Sequence, residues 1–399
     1  MKKKLAIMAL VGSTAFATSS QAQGLLGIGA TDEDFESGLP FTATISADFG
    51  WDSNATASSG DKDESAYVRG GIGTRWLTGN RRTSATIGAS FSTIYYFDGL
   101  EGAEDDVFYN ARASVDFRHH ASRRLTLGNN FYYTYEIEPD YTIGESASRR
   151  TDQYHYFYNS TWASYAWSRR VSTVARYTLS GVYYEDDIVS SSEDRLTQTG
   201  SLEGRYLLNR LTTLVGEYRL QHSNYDANQR DYLSHFALAG LDHSFSRDLR
   251  GTVRVGAEFR DSDAYGTDTT PYGEFALRYF PNRESSWHWI TRIGNEDSEL
   301  SNYQQRFSYR TSLSYNRVLT QRLRTNFGIT YVHTDFEKSD FNFNDYNEDI
   351  IALNLGLSYR LMSNFDVNAG YYFTAVDSGQ ESREYDRHRV SLGGSMTFN

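Results

Sequence analysis

Arginine and carboxylate side chains alternate with apolar residues along many segments, and they are the groups best suited to bind charged molecules. The guanidinium of arginine stays charged and holds carboxylate or phosphate groups through paired hydrogen bonds. If each segment turns its charges to one face, the charges collect around a shared polar interior. The residues expected to line this interior are Arg112, Glu217, Arg219, Arg254, Glu258, Glu274, Arg310, Arg324, Arg360 and Arg389.

Two interpretations of these charges stay open. In the first, arginines and carboxylates face each other across a water-filled interior, and their field orients polar solutes and sets ion selectivity. Charge reversal of Arg254 and Arg310 would test this interpretation. In the second, neighbouring Arg–Glu pairs lock adjacent segments together and fill the interior.

Signals for enzymatic chemistry are weak. The sequence has no cysteine, no G-x-S-x-G and no H-E-x-x-H, and its nine histidines are scattered. A motif that begins at Asp261 and has Gly266 as its sixth residue resembles a calcium loop. Its twelfth position is Tyr272, where a calcium loop needs glutamate. We therefore expect no enzyme, no cofactor and no metal site. A Ser/His or Asp/His pair formed between distant segments is the alternative that spacing alone leaves open.

The segments that carry these charges have a period of two residues, which is typical of β-strands. They are about 11–15 residues long, whereas strands of soluble proteins are usually about 5–6. A clear example is the segment with apolar Ile351, Leu353, Leu355, Leu357 and Tyr359 separated by Ala352, Asn354, Gly356, Ser358 and Arg360.

Tight turns and longer loops alternate along the chain. Eight tight turns run from Gly79-Asn80-Arg81 to Met362-Ser363-Asn364, and nine polar loops run from Ser53–Ser65 to Ser378–Glu384, including Ser262–Thr269. Seventeen connections predict 18 strands, with 16 as the fallback if one pair of loops is miscounted.

Long amphipathic strands of this kind are typical of a barrel in lipid. Backbone groups in hydrocarbon must all be paired, so a spanning sheet has to close. We therefore predict an all-β fold, a closed antiparallel transmembrane β-barrel with short periplasmic turns and longer extracellular loops. Tyrosines near the long loops are expected to form an aromatic girdle at the lipid headgroups, comprising Tyr95, Tyr133, Tyr156, Tyr184 and Tyr371.

The N-terminus has the pattern of a secretory signal peptide. Lys2, Lys3 and Lys4 precede a short apolar run, which places the signal at residues 1–22, a periplasmic leader at 23–40 and the barrel at 41–399. The leader is expected to be either mobile or tucked into the lumen. Removal of the signal moves the net charge from −12 to −15, which disfavours a nucleic-acid partner.

The signal, the alternating strands, the arginine-bearing turns and the closing segment RHRVSLGGSMTF at 387–398 together resemble the β-barrel porin families of Gram-negative bacteria. The resemblance covers nearly the whole mature chain. It implies a location in the cell outer membrane and, in some of these families, an association with polysaccharide export.

The sequence thus predicts a porin-like channel for passive or weakly selective diffusion of small hydrophilic solutes. The alternative is a non-conducting or dedicated barrel, such as an accessory or structural protein of exopolysaccharide export. The expected partners are outer-membrane lipid, lipopolysaccharide and small polar solutes or saccharides. Assembly into a homo-oligomer is left open.

Overall fold

The computed structural model describes residues 41–60, 62–98, 106–139, 141, 152–226, 230–262, 266–296, 303–338 and 345–398. The predicted signal peptide and leader, at residues 1–40, lie outside the described residues. The described part of the chain is almost entirely β-strand: β1 (Phe41–Asp52), β2 (Ser65–Gly79), β3 (Thr83–Tyr96), β4 (Val107–His120), β5 (Leu125–Glu136), β6 (Tyr154–Ala166), β7 (Val171–Tyr184), β8 (Arg195–Leu207), β9 (Thr212–Tyr225), β10 (Tyr232–Ser244), β11 (Leu249–Ser262), β12 (Gly266–Asn282), β13 (Ser285–Glu296), β14 (Tyr303–Val318), β15 (Leu323–Lys338), β16 (Tyr346–Met362), β17 (Phe365–Ser378) and β18 (Tyr385–Phe398).

Each strand pairs antiparallel with the next, and β1 pairs with β18 from Ala43↔Phe398 to Asp52↔Arg389. The sheet therefore closes on itself as an 18-stranded barrel, which confirms the predicted fold class and strand number. The fallback of 16 strands is wrong. Closure satisfies the backbone groups of the two strands that would otherwise be edges.

The connections alternate in length, as the turn pattern predicts. Eight connections are tight turns, and they lie together at one end of the barrel, called here the short-turn end. In several of them a small polar side chain caps the turn. Ser122 Oγ, for example, accepts hydrogen bonds from the backbone N–H groups of Arg124 and Leu125 at 3.1 and 3.0 Å. Such capping is a known reason for serine and asparagine in turns.

The other nine connections lie at the opposite end, called the long-loop end. One of them contains a short helix, α1 (Asp187–Glu193), which the alternating pattern does not predict. The predicted loop Ser262–Thr269 is too long, because β11 ends at Ser262 and β12 begins at Gly266. Gly266 begins β12 with a φ of 74°, a conformation that glycine adopts readily, and Thr267 pairs with Asp261. The polar composition suggested a loop, but β-branched threonines continue the strand.

The two faces of the sheet have opposite chemistry. Large apolar side chains point outward and are exposed, for example Ile72 at 60% and Leu357 at 50%. Many charged side chains and several tyrosines, among them Arg254, Glu258 and Tyr154, point inward and are mostly buried against one another. Apolar packing inside the barrel is found in small separate clusters rather than in one continuous core. The interior is thus polar over much of its wall.

Candidate functional site

The inner wall carries a chain of ion pairs across β8 to β12. Arg254 Nη1 lies 2.8 Å from Asp242 Oδ1, and Arg254 Nε lies 3.9 Å from Glu217 Oε2. Arg219 contacts Glu217, and its Nη1 lies 2.8 Å from Glu274 Oε1. These contacts join neighbouring or nearby strands along the wall rather than opposite walls. The arrangement corresponds to the second interpretation of the charges, in which pairs lock the sheet.

The same network continues toward β8, where Arg205 contacts both Glu203 and Asp242. Arg254 is only 2% exposed, and Glu258 is completely buried, with Arg260 Nε at 2.9 Å from its Oε1. Buried charges of this kind require partners, because an unpaired ion is costly away from water. Arg254 and Glu258 therefore hold the wall together and are largely hidden from the lumen.

The other predicted residues of the inner face are also paired. Arg112 Nη2 lies 3.5 Å from Glu136 Oε2, and Arg310 Nη2 lies 2.8 Å from Glu296 Oε2. Near the short-turn end, Asp366 on β17 accepts hydrogen bonds from Arg360 on β16 and from Arg324 on β15. The N···O distances are 2.7 Å to Arg324 and 3.4 Å to Arg360.

Arg278, which faces inward near the short-turn end, has a different set of neighbours. Arg278 stands opposite Arg250 on β11 and opposite His288 on β13 in the strand register. Within the described residues, no carboxylate lies within ion-pair distance of Arg278. Arg278 consequently carries a positive charge that no described carboxylate pairs with.

Two residues that follow β5, Glu138 and Tyr141, contact distant strands inside the lumen. Glu138 binds Arg387 and Arg389 on β18, and Tyr141 accepts a hydrogen bond from Arg310 on β14 through its backbone carbonyl oxygen. The Tyr141 side chain packs in a cluster with residues of β15, β16 and β17, and its hydroxyl lies 3.1 Å from that of Tyr385. Strands β5 and β14 are nine apart in a ring of 18, so this contact joins opposite walls.

Sequence periodicity does not reveal these cross-lumen contacts. Glu138 and Tyr141 lie in a predicted loop, Pro139–Thr151, or at its edge, and no spacing rule relates them to β14 or β18. Asp242 and Glu296 were also missed, although each is the partner of an inward arginine. Asp242 follows the outward Leu241, and this alternation could have identified it as inward, whereas Glu296 is flanked by Asn295 and Asp297 and carries no such signal.

The predicted aromatic girdle needs correction. Tyr156 and Tyr184 are 2% and 8% exposed and pack together inside the barrel. Both belong to the inward set of their strands, since consecutive residues of a strand alternate between the two faces. A run of consecutive aromatic residues at a strand end places side chains on both faces of the sheet. The prediction did not separate the inward tyrosines from the outward ones.

The remaining three tyrosines lie on the outer face. Tyr95 is exposed near the end of β3, and Tyr133 bonds to His155 Nδ1 at 2.9 Å. Tyr371 makes a similar contact with His388 but lies midway along β17 rather than beside a long loop. These positions do not form a ring at one level along their strands.

None of the helices described is long and apolar enough to cross a membrane. No group of three or more His, Asp or Glu side chains in the described ranges is arranged to hold a metal ion.

Comparison with known proteins gives one family match and several distant structural matches. No curated protein is significantly similar in sequence to this chain. Among solved structures, Acinetobacter baumannii OccAB4 is 10% identical, covers 90% of this chain and 99% of its own, and has a TM-score of 0.45. Pseudomonas aeruginosa OccK2 (OpdF) in complex with glucuronate is 12% identical, with coverages of 90% and 98% and a TM-score of 0.49.

A third solved structure, Pseudomonas aeruginosa OpdK with vanillate, is 10% identical, with coverages of 90% and 99% and a TM-score of 0.46. The family model described as "Putative beta-barrel porin 2" matches residues 41–398, which is the whole described barrel from the first strand to the last. On this match, the chain is a member of the Putative beta-barrel porin 2 family.

Proposed function

We propose that this porin-family barrel is a channel for passive or weakly selective diffusion of small hydrophilic solutes across the outer membrane. The observation that carries the proposal is the closed 18-stranded sheet with apolar side chains outside and charged side chains inside. Barrels of 16–18 strands are wide enough for an aqueous channel. The lumen would admit solutes by size and polarity, with no covalent chemistry.

The family places the protein in the outer membrane. We further propose that residues 1–22 direct export, that the short-turn end faces the periplasm and that the long loops face outward. The outer apolar band would then contact lipid, with lipopolysaccharide next to the long loops. This orientation follows the usual arrangement of short periplasmic turns and long extracellular loops.

Ion selectivity would be weak because most of the wall charge is neutralised in pairs. Arg219, Arg254 and Arg310 each contact at least one carboxylate. Arg278 is one of the described arginines without an ion pair and would favour anions near the short-turn end. The channel should therefore discriminate by size first and show a modest preference for anions.

One observation favours a second candidate function. Glu138 and Tyr141 reach across the lumen and are anchored on distant strands. Such contacts narrow the passage and would suit a non-conducting barrel, for example an accessory protein of polysaccharide export. This candidate predicts a barrel that folds and inserts normally but passes no current.

Recordings from the purified protein in planar bilayers would separate the two functions. A channel gives stable ohmic current steps, whereas the second candidate gives a silent bilayer although far-ultraviolet circular dichroism shows a folded β-protein. Swelling of liposomes in sugars of increasing size measures the exclusion limit independently of charge. Swelling no faster than that of protein-free liposomes would contradict the diffusion function.

A further inference from the structure

We infer that Arg387 and Arg389 form a binding site for the carboxylate of a small organic anion, and that Glu138 occupies this site in the resting barrel. The inference rests on the proposed function, since the solute must reach the lumen. It adds a solute class and a competitor that the chain itself supplies.

The contacts of Glu138 are those of a bound carboxylate. Arg387 Nη1 lies 2.9 and 3.0 Å from the two carboxylate oxygens of Glu138, and Arg389 Nη1 lies 3.2 Å from Oε1. Charge-assisted contacts of this type are among the strongest hydrogen bonds in proteins. A solute carboxylate in the same place would make the same contacts.

The local charges require one anion. Arg387 is already paired with the completely buried Asp52, with Arg387 Nε 2.9 Å from its Oδ1. Glu138 is the carboxylate that Arg389 contacts among the described residues. Two arginines and Asp52 carry a net charge of +1 when Glu138 is withdrawn. The site would then attract a monoanion.

The Tyr372 ring next to Arg389 favours the binding of an organic anion over that of a simple inorganic ion. The Arg389 guanidinium lies 5.3 Å from the ring centre of Tyr372. Tyr67 and Tyr96, whose ring centres are 5.6 Å apart, are 5% and 2% exposed and pack in a buried cluster beside the site, so the half-buried Tyr372 supplies the ring face. Flat rings pack favourably on tyrosine faces and on guanidinium groups. Benzoate is therefore a suitable probe.

Glu138 can leave the site without unfolding the barrel. It belongs to the β5–β6 connection rather than to a strand, and the Tyr154 hydroxyl holds its backbone carbonyl oxygen at 2.9 Å. The side chain can therefore rotate away while the backbone stays anchored. A tethered group competes as if present at about millimolar concentration, so solutes at millimolar levels can displace it.

The test is calorimetric titration of the purified full chain with benzoate and with the neutral isostere benzamide. Glu138→Gln keeps the shape of the side chain but removes its charge, and should bind benzoate about tenfold more tightly than the original chain. Benzamide should bind neither protein measurably. Adding Arg389→Gln to Glu138→Gln should abolish the gain.

Glu64→Gln is the matched control, because it makes the same charge change at an exposed residue in a long loop. It should leave benzoate affinity unchanged. Equal benzoate affinity in Glu138→Gln and the original chain would overturn the inference, as would equal binding of benzamide. Circular dichroism and thermal unfolding verify that each variant is folded.

The outcome for the site is separable from that for the channel. A protein that shows this binding pattern but passes no current would retain the carboxylate site and contradict the diffusion function. A protein that conducts but lacks the binding pattern would retain the channel and contradict the site.

Discussion

Arg310 on β14 donates a hydrogen bond to the backbone carbonyl oxygen of Tyr141. Tyr141 follows β5 in the chain, and β5 lies on the wall opposite β14. Arg310 also holds Glu296 through Nε and Nη2, at 3.1 and 2.8 Å. One guanidinium therefore joins an ion pair of the wall to Tyr141 inside the lumen. We therefore expect a change at Arg310 to affect both the stability of the wall and the position of Tyr141 in the lumen.

Removal of the Tyr141 side chain should widen the passage. Tyr141→Ala loses the packing against Val332, Ile350 and Val376. Such a loss typically costs about 3–5 kcal/mol of the packing free energy that holds this residue in place. We expect a larger single-channel conductance in planar bilayers. Tyr385→Phe is the control, since it removes only the hydroxyl contact, worth about 1 kcal/mol, and should leave conductance nearly unchanged. A conductance equal to that of the original chain in Tyr141→Ala would contradict a role for this residue in narrowing the lumen.

The anchoring by Tyr141 should not depend on pH near neutrality. Burial, together with the nearby Tyr385 hydroxyl, raises the pKa of the Tyr141 hydroxyl well above its ordinary value. For an acid with a raised pKa in the folded state, the stabilisation is present below the unfolded-state pKa and is lost only at higher pH. Single-channel conductance should therefore show no titration of this group between about pH 5 and 8. A Tyr141-dependent conductance step in that range would contradict the assignment.

Loss of a buried arginine should destabilise the wall far more than loss of an unpaired one. Arg254→Gln removes one of the two arginine partners of Asp242 and of Glu217 in a buried setting, and breaking such a network costs about 3–5 kcal/mol. Arg278→Gln makes the same chemical change where no described carboxylate is paired, and should cost less than about 1 kcal/mol. Urea unfolding in lipid vesicles measures both. Equal losses in the two variants would show that the ion pairs of Arg254 add little.

Ion selectivity should respond to Arg278 rather than to Arg254 or Arg310. Arg278→Glu changes the local charge by two units. At ~10 Å through water this shifts the energies of an anion and of a cation by about 0.8 kcal/mol in opposite directions, which corresponds to about a 16-fold fall in the anion-to-cation permeability ratio. Reversal potentials in a potassium chloride gradient measure this ratio. Charge reversal at Arg254 and Arg310, which the sequence suggested, would chiefly disrupt buried pairs. An unchanged ratio in Arg278→Glu would exclude this residue from selectivity.

Local rules accounted for the barrel, because period-two alternation and turn chemistry act over a few residues. Segments such as Ile351 to Arg360 and turns such as Ser122-Arg123-Arg124 are recognisable on their own. The partners of each charge were not recognisable, because Arg219 meets Glu274 three strands away and Glu138 meets Arg387 through a loop. Contacts of that kind depend on loop geometry and strand stagger, which periodicity does not encode.

The orientation of the two faces can be tested with cysteines, since the natural chain contains none. Leu357 and Ser358 are neighbours on β16, and Leu357 belongs to the outer apolar set whereas Ser358 belongs to the inner set. In lipid vesicles, Ser358→Cys should react with a small water-soluble thiol reagent, and Leu357→Cys should react slowly because hydrocarbon excludes the charged reagent. Both variants should react at comparable rates after unfolding in detergent and urea, which controls for intrinsic thiol reactivity. Faster labelling of Leu357→Cys than of Ser358→Cys in vesicles would mean that the apolar face is wet, and the membrane-spanning arrangement would then be wrong.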